Sequence, residues 1–461
     1  MITSPAFAGQ RFAVLGLARS GAAAAEALMA SGAEVVAWDR QDVARAPFEG
    51  RCQLVDPLEL DLTGFAGVIV SPGVPLNTHP IGPHAWQYGL PVIGDIELFA
   101  MARASLPPHK VVGITGTNGK STTTALVHHI LTEAGVPSVM GGNIGEAILA
   151  QTPLIPNQNG TGVYVLELSS FQLDLTFTLD CDVAALTNIT PDHLDRYAGF
   201  AAYAASKERL FAMQETGTAL ICDEDAPTSA IADRIAAAGK PVVRVKTDDL
   251  AAAGFAEGRS PSLAGPHNAQ NAAVAVAICR QLGLNDATIA RGLASYRGLP
   301  HRMERVCDVN GVVYINDSKA TNAASAAPAL AAFTPEAAIN DGAPRIHWIV
   351  GGLPKEDGLG ACGDHLGNVA AAYTVGEAGP VFADLLEGRV RVERCELISE
   401  AVRRAAEAAR PGEVVLLSPA CASYDQFRDY EKRGHHFRQM VGAITGCDTG
   451  GGGAASGSPL P

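Results

Sequence analysis

The run Gly113-Ile114-Thr115-Gly116-Thr117-Asn118-Gly119-Lys120-Ser121-Thr122 constrains the fold more than any other stretch of this chain. An apolar segment, Val111 to Ile114, enters a glycine-rich turn, and a helix-forming segment from Lys120 to Ala134 leaves it, stopped by Gly135. Strand, glycine turn and helix in that order call for an α/β domain with the turn at the carboxyl end of a parallel strand. Backbone N–H groups at such a helix N-terminus bind phosphate. Lys120 would reach the terminal phosphates as a point charge, and Ser121 would offer a hydroxyl to Mg²⁺. The strict phosphate loop has Gly, four residues, then Gly-Lys-Ser/Thr; here Gly113 stands one residue early and Ile114 holds its place. The competing reading is an ordinary strand–turn–helix junction.

At 461 residues the chain has room for about two or three domains. Its 47% hydrophobic and 18% charged residues are those of an ordinary globular protein. No apolar run approaches the ~20 residues of a membrane span, so no membrane insertion is expected. The first residues lack the basic start and apolar core of a secretory signal. The net charge of −14, with no long basic stripe, argues against nucleic acid as the main partner. Nine scattered cysteines with no Cys-x-x-Cys pair argue against a zinc site or a disulfide framework, and the reducing cytoplasm fits best.

Three Rossmann-like, parallel-sheet α/β domains are expected: residues 1–98, a central phosphate-loop ATPase-type domain over 99–299, and residues 300–446. A Gly-, Ala- and Ser-rich tail, 447–461, is expected to be disordered. In the first block, strand Phe12–Leu15 enters the turn Gly16-Leu17-Ala18-Arg19-Ser20-Gly21, and strand Glu34–Trp38 ends at Asp39. The turn is a damaged dinucleotide fingerprint, with Ala18 where a glycine allows close approach of a pyrophosphate. Asp39, 18 residues past Gly21, stands about where a ribose-binding acid would sit. A diphosphate-bearing ligand other than a nicotinamide or flavin cofactor is the favoured reading, against a plain packing turn. Strand Val68–Val70 closes at Ser71-Pro72-Gly73.

In the second block, Glu167 interrupts the apolar strand Val163–Leu168, and an acid at a strand end beside a phosphate loop is a natural Mg²⁺ ligand. Strand Val183–Leu186 leads into Thr187 to Arg196, where Thr190 and Pro191 read as the cap and first position of a helix. His193 in this run reads equally as a ligand or as a structural histidine. Lys207, on a helix from Phe200 to Met213, reads locally as a surface charge. Asn268 and Asn271, near the start of a helix at Pro266, either cap it or bind a purine edge. In the third block, His301 and Arg302 stand at the domain junction, and Asn316 to Asn322 is a polar run leaving strand Val312–Ile315. Gly351, Gly352 and Lys355 follow strand Ile346–Val350, and Ser418 to Ser423 follow strand Val414–Leu417. Polar runs at strand ends look like site loops.

Taken together, these segments resemble the Mur ligase family. The match lies in Gly116 to Thr122, Gly142 to Gly145, Leu166 to Leu173, Asp192 to Arg196, His267 to Asn271 and Leu299 to Arg302. Asn316 to Asn322 and Leu417 to Ser423 complete it and resemble the D-glutamate-adding branch. The resemblance implies an ATP-dependent ligase that adds D-glutamate to UDP-N-acetylmuramoyl-L-alanine through an acyl phosphate, in peptidoglycan precursor synthesis. It implies ATP held by Gly116, Thr117, Asn118, Gly119, Lys120, Ser121, Thr122, Asn268, Asn271, Arg302 and Asp317. Two Mg²⁺ ions would be held by Ser121, Glu167, His193 and a carbamylated Lys207, and His301 and Lys319 would stand at the reacting centre. Asn143 would touch the acyl-phosphate end. Thr321, Lys355, Ser423 and the backbone at Tyr430 would receive D-glutamate. Gly16, Leu17, Ala18, Arg19, Asp39, Arg40 and Ser71 would hold the uridine diphosphate. A monomer is expected. The chain departs from the family at Pro354, where Asp or Gly is common, and in an insertion from Thr334 to Arg345 with no expected chemical role.

Overall fold

The computed structural model describes residues 1–157, 162–252, 254–255, 260–263, 265–337, 341–354 and 358–449. The central strands of the three sheets are short and mostly apolar, which is the pattern of strands covered on both faces. The first has the order β3 (Gln53–Leu54), β2 (Glu34–Trp38), β1 (Arg11–Leu15), β4 (Gly67–Val70), β5 (Val92–Ile93), all parallel. The second runs β11 (Val242–Val245), β10 (Thr218–Cys222), β9 (Val183–Leu186), β6 (Lys110–Thr115), β8 (Val163–Glu167), β7 (Ser138–Gly142), also all parallel. The third runs β12 (Glu304–Val309), β13 (Val312–Asn316), β17 (Val414–Leu417), β14 (Ile346–Gly351), β15 (Val369–Val375), β16 (Arg391–Glu396). Its edge strand β12 pairs antiparallel with β13, so this sheet is mixed rather than purely parallel.

The described residues form two compact units: Met1–Phe255 with Gln270–Ala294, and Ala256–Ala269 with Ser295–Pro461. The first two sheets lie in the first unit and the third in the second. Within the first unit, Glu97 is buried and accepts from the N–H groups of Phe177 and Thr178 (2.7 and 3.0 Å) and from the Thr178 hydroxyl (2.7 Å). These charge-assisted bonds tie the Asp95–Ala102 helix to the segment after the Ser170–Asp174 helix. Among the described residues no helix is long and apolar enough to cross a membrane.

One expected element is absent. Thr190 and Pro191 do not start a helix; residues 187–199 are irregular and the next helix is Phe200–Ala212. The Thr190 N–H donates to the Thr117 hydroxyl (3.0 Å), and that hydroxyl donates to the Thr190 carbonyl (3.1 Å). Bonds to the phosphate loop thus replace capping, and His193, at φ 52°, is outside helical geometry. Of the expected tail, residues 450–461 lie outside the described residues, as do 338–340 of the expected insertion.

In the first two sheets the connections leave neighbouring strands in opposite directions, at β1 and β4 and at β9 and β6, which opens a crevice at the carboxyl edge. The turn after β1 is the tightest case. Gly16 has φ 88°, and a Cβ at Gly21 would collide with the Gly16 carbonyl. Gly21→Ala is therefore expected to destabilise the first unit by about 1–3 kcal/mol through overpacking. Calorimetry of the full chain should show its first unfolding transition lowered; an unchanged thermogram would contradict the reading.

Candidate active site

The site grows from the carboxyl ends of β6, β8 and β9. Gly116, at φ 148°, packs so tightly that a Cβ would strike the Thr187 hydroxyl. Gly119 sits in the left-handed region (φ 81°) as the residue before the Lys120–Glu133 helix, and a Cβ there would strike the Asn271 amide. Both glycines are therefore required by close approach as well as by dihedral. The Thr117 and Asn118 N–H groups are used by the carbonyl and amide oxygens of Asn188 (2.8 and 2.9 Å). The inward-facing cradle thus begins at Gly119 rather than along the whole turn, where the first helical turn supplies its N–H groups. Ser121 and Thr122 are half-buried in that turn.

Two lysines converge on one carbonyl. Lys120 Nζ donates to the carbonyls of Gly116 and Thr117 (2.9 and 2.7 Å), and Lys207 Nζ donates to Gly116 (2.8 Å). Lys207 is only 1% exposed, which overrides its local reading as a surface charge. Burial, then the Lys120 charge, pull its pKa down to about 7. Its ammonium lies 4.6 Å from the Tyr203 ring, and the Tyr203 hydroxyl meets that of Thr117 at 3.0 Å.

Glu167, at the end of β8, is 2% exposed. Its Oε1 accepts from the Asn143 amide (2.8 Å), while its Oε2 is buried without a hydrogen-bond partner. An ionised oxygen left unpaired in the interior costs several kcal/mol, roughly, unless a cation completes it. This donor fits a hard divalent ion. Gly142 and Asn143 hold the acid from behind, since the Asn143 N–H bonds the Glu167 carbonyl (2.8 Å). His193 is half-exposed, packs on the Phe171 ring at 4.8 Å and pairs with Asp192 at 3.5 Å. Among the described residues no group of three His, Cys, Asp or Glu side chains is gathered as a metal cluster.

In the first sheet, the Leu17 N–H donates to Asp39 Oδ2 (2.7 Å) and the Gln41 N–H to Asp39 Oδ1 (2.9 Å), so Asp39 braces the turn. Arg19 reaches the Gly145 carbonyl (2.9 Å), and Ala18 and Arg40 are exposed. A Cβ on Gly16 would touch the Ser71 side chain, which places those two strand ends together.

In the second unit, Asp317 is 4% exposed and accepts from the Met303 N–H (3.1 Å) and the Ser418 hydroxyl (2.7 Å). Burial raises its pKa to about 7. His301, at φ 62°, is 3% exposed, and burial first, then Arg438, lower its pKa to about 4. The Asn316 amide nitrogen lies 2.9 Å from His301 Nδ1 and also donates to Glu304 Oε2 (3.0 Å) and the Gly434 carbonyl (3.2 Å), which ties the ring to its neighbours. The Lys319 ammonium lies 4.0 Å from the Tyr430 ring. Asn268 donates to the Ser262 carbonyl (3.3 Å); Asn271, which belongs to the first unit, accepts there from the Thr123 hydroxyl (3.4 Å). Arg302 and Thr321 are half-buried, and Ser423 is 2% exposed. Lys355 lies outside the described residues.

Sequence reasoning missed Arg433 and the hub role of Asn316. Arg433 is 1% exposed and bonds Ser318, Cys421 and Ala422. A signal was present in Gly434, a glycine inside a helix. A Cβ there would collide with the His301 ring.

A doubly wound α/β fold, a glycine cradle at a helix N-terminus and a buried acid with an open oxygen define a nucleoside-triphosphate-binding protein of the phosphate-loop type. The chain belongs to the Mur ligase family. The Mur ligase middle domain matches residues 114–279, and the Mur ligase glutamate ligase domain matches residues 301–421. The chain is similar to the UDP-N-acetylmuramoylalanine–D-glutamate ligases of Novosphingobium aromaticivorans and Zymomonas mobilis. The first is 59% identical, over 96% of this chain and 97% of the relative. The second is 52% identical, over 96% of this chain and 100% of the relative. In fold it resembles the UDP-N-acetylmuramate–alanine ligase of Thermotoga maritima, at a TM-score of 0.55 and 18% identity. That likeness covers 94% of this chain and 99% of the other.

The buried amine has a consequence for stability. Folded Lys207 loses its proton above about 7, whereas the unfolded chain keeps it to the ordinary 10.5. Between those values the unfolded state binds more protons, so Lys207 makes folding stability rise with pH. In carbon-dioxide-free buffer, Lys207→Met should flatten the rise seen by denaturant unfolding. An unaltered slope would contradict the burial of this amine.

Proposed function

We propose that this protein is the ATP-dependent ligase that joins D-glutamate to UDP-N-acetylmuramoyl-L-alanine, releasing ADP and phosphate, in peptidoglycan precursor synthesis. The observation that carries the reading is the near-full-length likeness to relatives of that name. The phosphate cradle and the open Glu167 oxygen supply a physical basis for it. A carboxylate resists an amine because its carbon is poorly electrophilic and oxide is a hopeless leaving group. Phosphorylation of the L-alanyl carboxylate supplies a leaving group, and the amine of D-glutamate then displaces phosphate through a tetrahedral intermediate. Crowded negative charge is the barrier, so fixed cations aimed at the phosphates are the remedy.

In this reading Gly116 to Thr122 hold the triphosphate, with Lys120 turning from its own loop carbonyls to the transferring group. Asn268, Asn271, Arg302 and Asp317 hold the rest of ATP. Ser121, Glu167, His193 and Lys207 would hold two Mg²⁺ ions, which neutralise phosphate charge when bound. Lys207 as a neutral amine can add carbon dioxide, forming a carbamate and releasing one proton; its burial supports that assignment. His301, kept neutral by burial, stands near the reacting centre, beside Lys319. Asn143, braced on Glu167, faces the acyl-phosphate end. Thr321, Ser423, the Tyr430 backbone and Lys355 take the two carboxylates of D-glutamate. The turn Gly16 to Arg19, with Asp39, Arg40 and Ser71, takes the uridine diphosphate. We assign these roles to three domains, 1–98, 99–299 and 300–446, in a cytoplasmic monomer.

Phosphate release from ATP by the purified protein should require both UDP-N-acetylmuramoyl-L-alanine and D-glutamate. Release that needs neither, or that is served equally by L-glutamate, would overturn the substrate assignment.

Lys120→Ala should lower kcat by about a hundred- to thousand-fold, or ~3–4 kcal/mol, with the fold retained. Wild-type turnover would refute its placement. Lys207→Ala should be nearly inactive and partly rescued by acetate, whose carboxylate fills the place of the carbamate. Full activity of that variant without bicarbonate would refute carbamylation.

A further inference from the structure

Three loops of the second unit leave neighbouring strands of one sheet: 317–322 after β13, 418–423 after β17 and 352–354 after β14. A backbone bridge between Leu353 and Ala422 (2.9 Å each way) joins the second and third loops, and the Ser418 hydroxyl on Asp317 (2.7 Å) joins the first and second. One buried side chain bonds the first two loops further along and packs against the third. Arg433, on the Tyr430–Thr445 helix, donates from Nε to the Ser318 hydroxyl (3.0 Å) and from Nη2 to the Ser318 carbonyl (2.9 Å). It also donates from Nη2 to the Cys421 carbonyl (3.0 Å) and from Nη1 to the Ala422 carbonyl (3.1 Å). The third loop closes on the same group. A Cβ on Gly352, at φ 134°, would crowd Arg433 Nη1 and the Ala422 carbonyl, so glycine is needed there.

The connections reach the residues that flank each contact. Ser318 precedes Lys319, Ala422 precedes Ser423, and the Ser318 hydroxyl donates to the Tyr430 carbonyl (2.9 Å). All four acceptors of Arg433 are neutral oxygens, so the guanidinium brings a positive charge to the strand ends, where Asp425 and Asp317 lie near enough to act on it. Its planar fork matches several carbonyls at once, which a lysine cannot do. Asp317 takes its hydrogen bonds from Met303 and Ser418 and feels Arg433 only through its charge.

We propose that Arg433 is the positioning residue of the amino-acid pocket. It fixes the separation of the Lys319–Thr321, Ser423 and Tyr430 walls and adds positive potential for a dicarboxylate, without touching the substrate itself. This rests on the functional reading given above.

The test uses the full chain and three variants, Arg433→Met, Arg433→Lys and Ser318→Ala, with thermal unfolding to confirm that each folds. Arg433→Met should raise KM for D-glutamate by about ten- to 100-fold, the scale of lost charge-assisted bonds. Its KM for ATP should move less than about threefold, because Asp317 keeps its own bonds. Arg433→Lys should recover part of the loss, through the charge alone. Ser318→Ala, which removes the hydroxyl link but spares the carbonyl contacts, should raise KM for D-glutamate less than Arg433→Met. Parallel rises in both KM values, or a fall in kcat with KM for D-glutamate unchanged, would make Arg433 a general structural residue and overturn the proposal. Wild-type protein that ligates no D-glutamate would overturn the functional reading instead, and the pocket assignment with it.

Discussion

The Gly116 carbonyl accepts hydrogen bonds from two ammonium groups, and much of the site depends on that crowding. Burial of the Lys207 ammonium, and then repulsion from the Lys120 cation, lower the pKa of Lys207. The arrangement makes sense for a site that receives a polyanion. A triphosphate would satisfy Lys120, and conversion of Lys207 to a carbamate would remove the repulsion by reversing its sign. Glu167 presents the mirror-image problem, a buried oxygen with no partner. The two lysines thus meet on the loop after β6, and Glu167 ends the neighbouring strand β8. Strain of this kind is stored where binding will relieve it.

The second unit works by a different economy. Its charges are mostly satisfied internally: Asp317 by Met303 and Ser418, His301 by Asn316, Arg433 by carbonyls. Such a network fixes geometry rather than awaiting a ligand. A chain that must hold a reactive intermediate for a second substrate gains from both kinds of site, one electrostatically unfinished and one rigid.

The strands and the phosphate loop were legible in the sequence because their causes are local: apolar runs, glycines and a following helix. The place of Glu167 at a buried strand end was legible because it closes an apolar run. Thr190 and Pro191 misled because capping chemistry is also local, while the bonds that displaced it reach Thr117, 73 residues away. The burial of Lys207 was invisible for the same reason, since its acceptor lies 91 residues back. Arg433 bonds Ser318 across 115 residues, and a basic residue in a polar helix gives no hint of that. Family resemblance singled out Lys207 without explaining it; the packing of the Phe200–Ala212 helix supplies the reason.

The central claim is that the precursor's carboxylate is phosphorylated before the amide forms. The most direct test labels that carboxylate with heavy oxygen and follows the label through one turnover with ATP and D-glutamate. An acyl phosphate transfers one labelled oxygen to the released inorganic phosphate and leaves the other in the amide carbonyl. Released phosphate free of label would show that ATP does not activate the carboxylate, and would contradict the account.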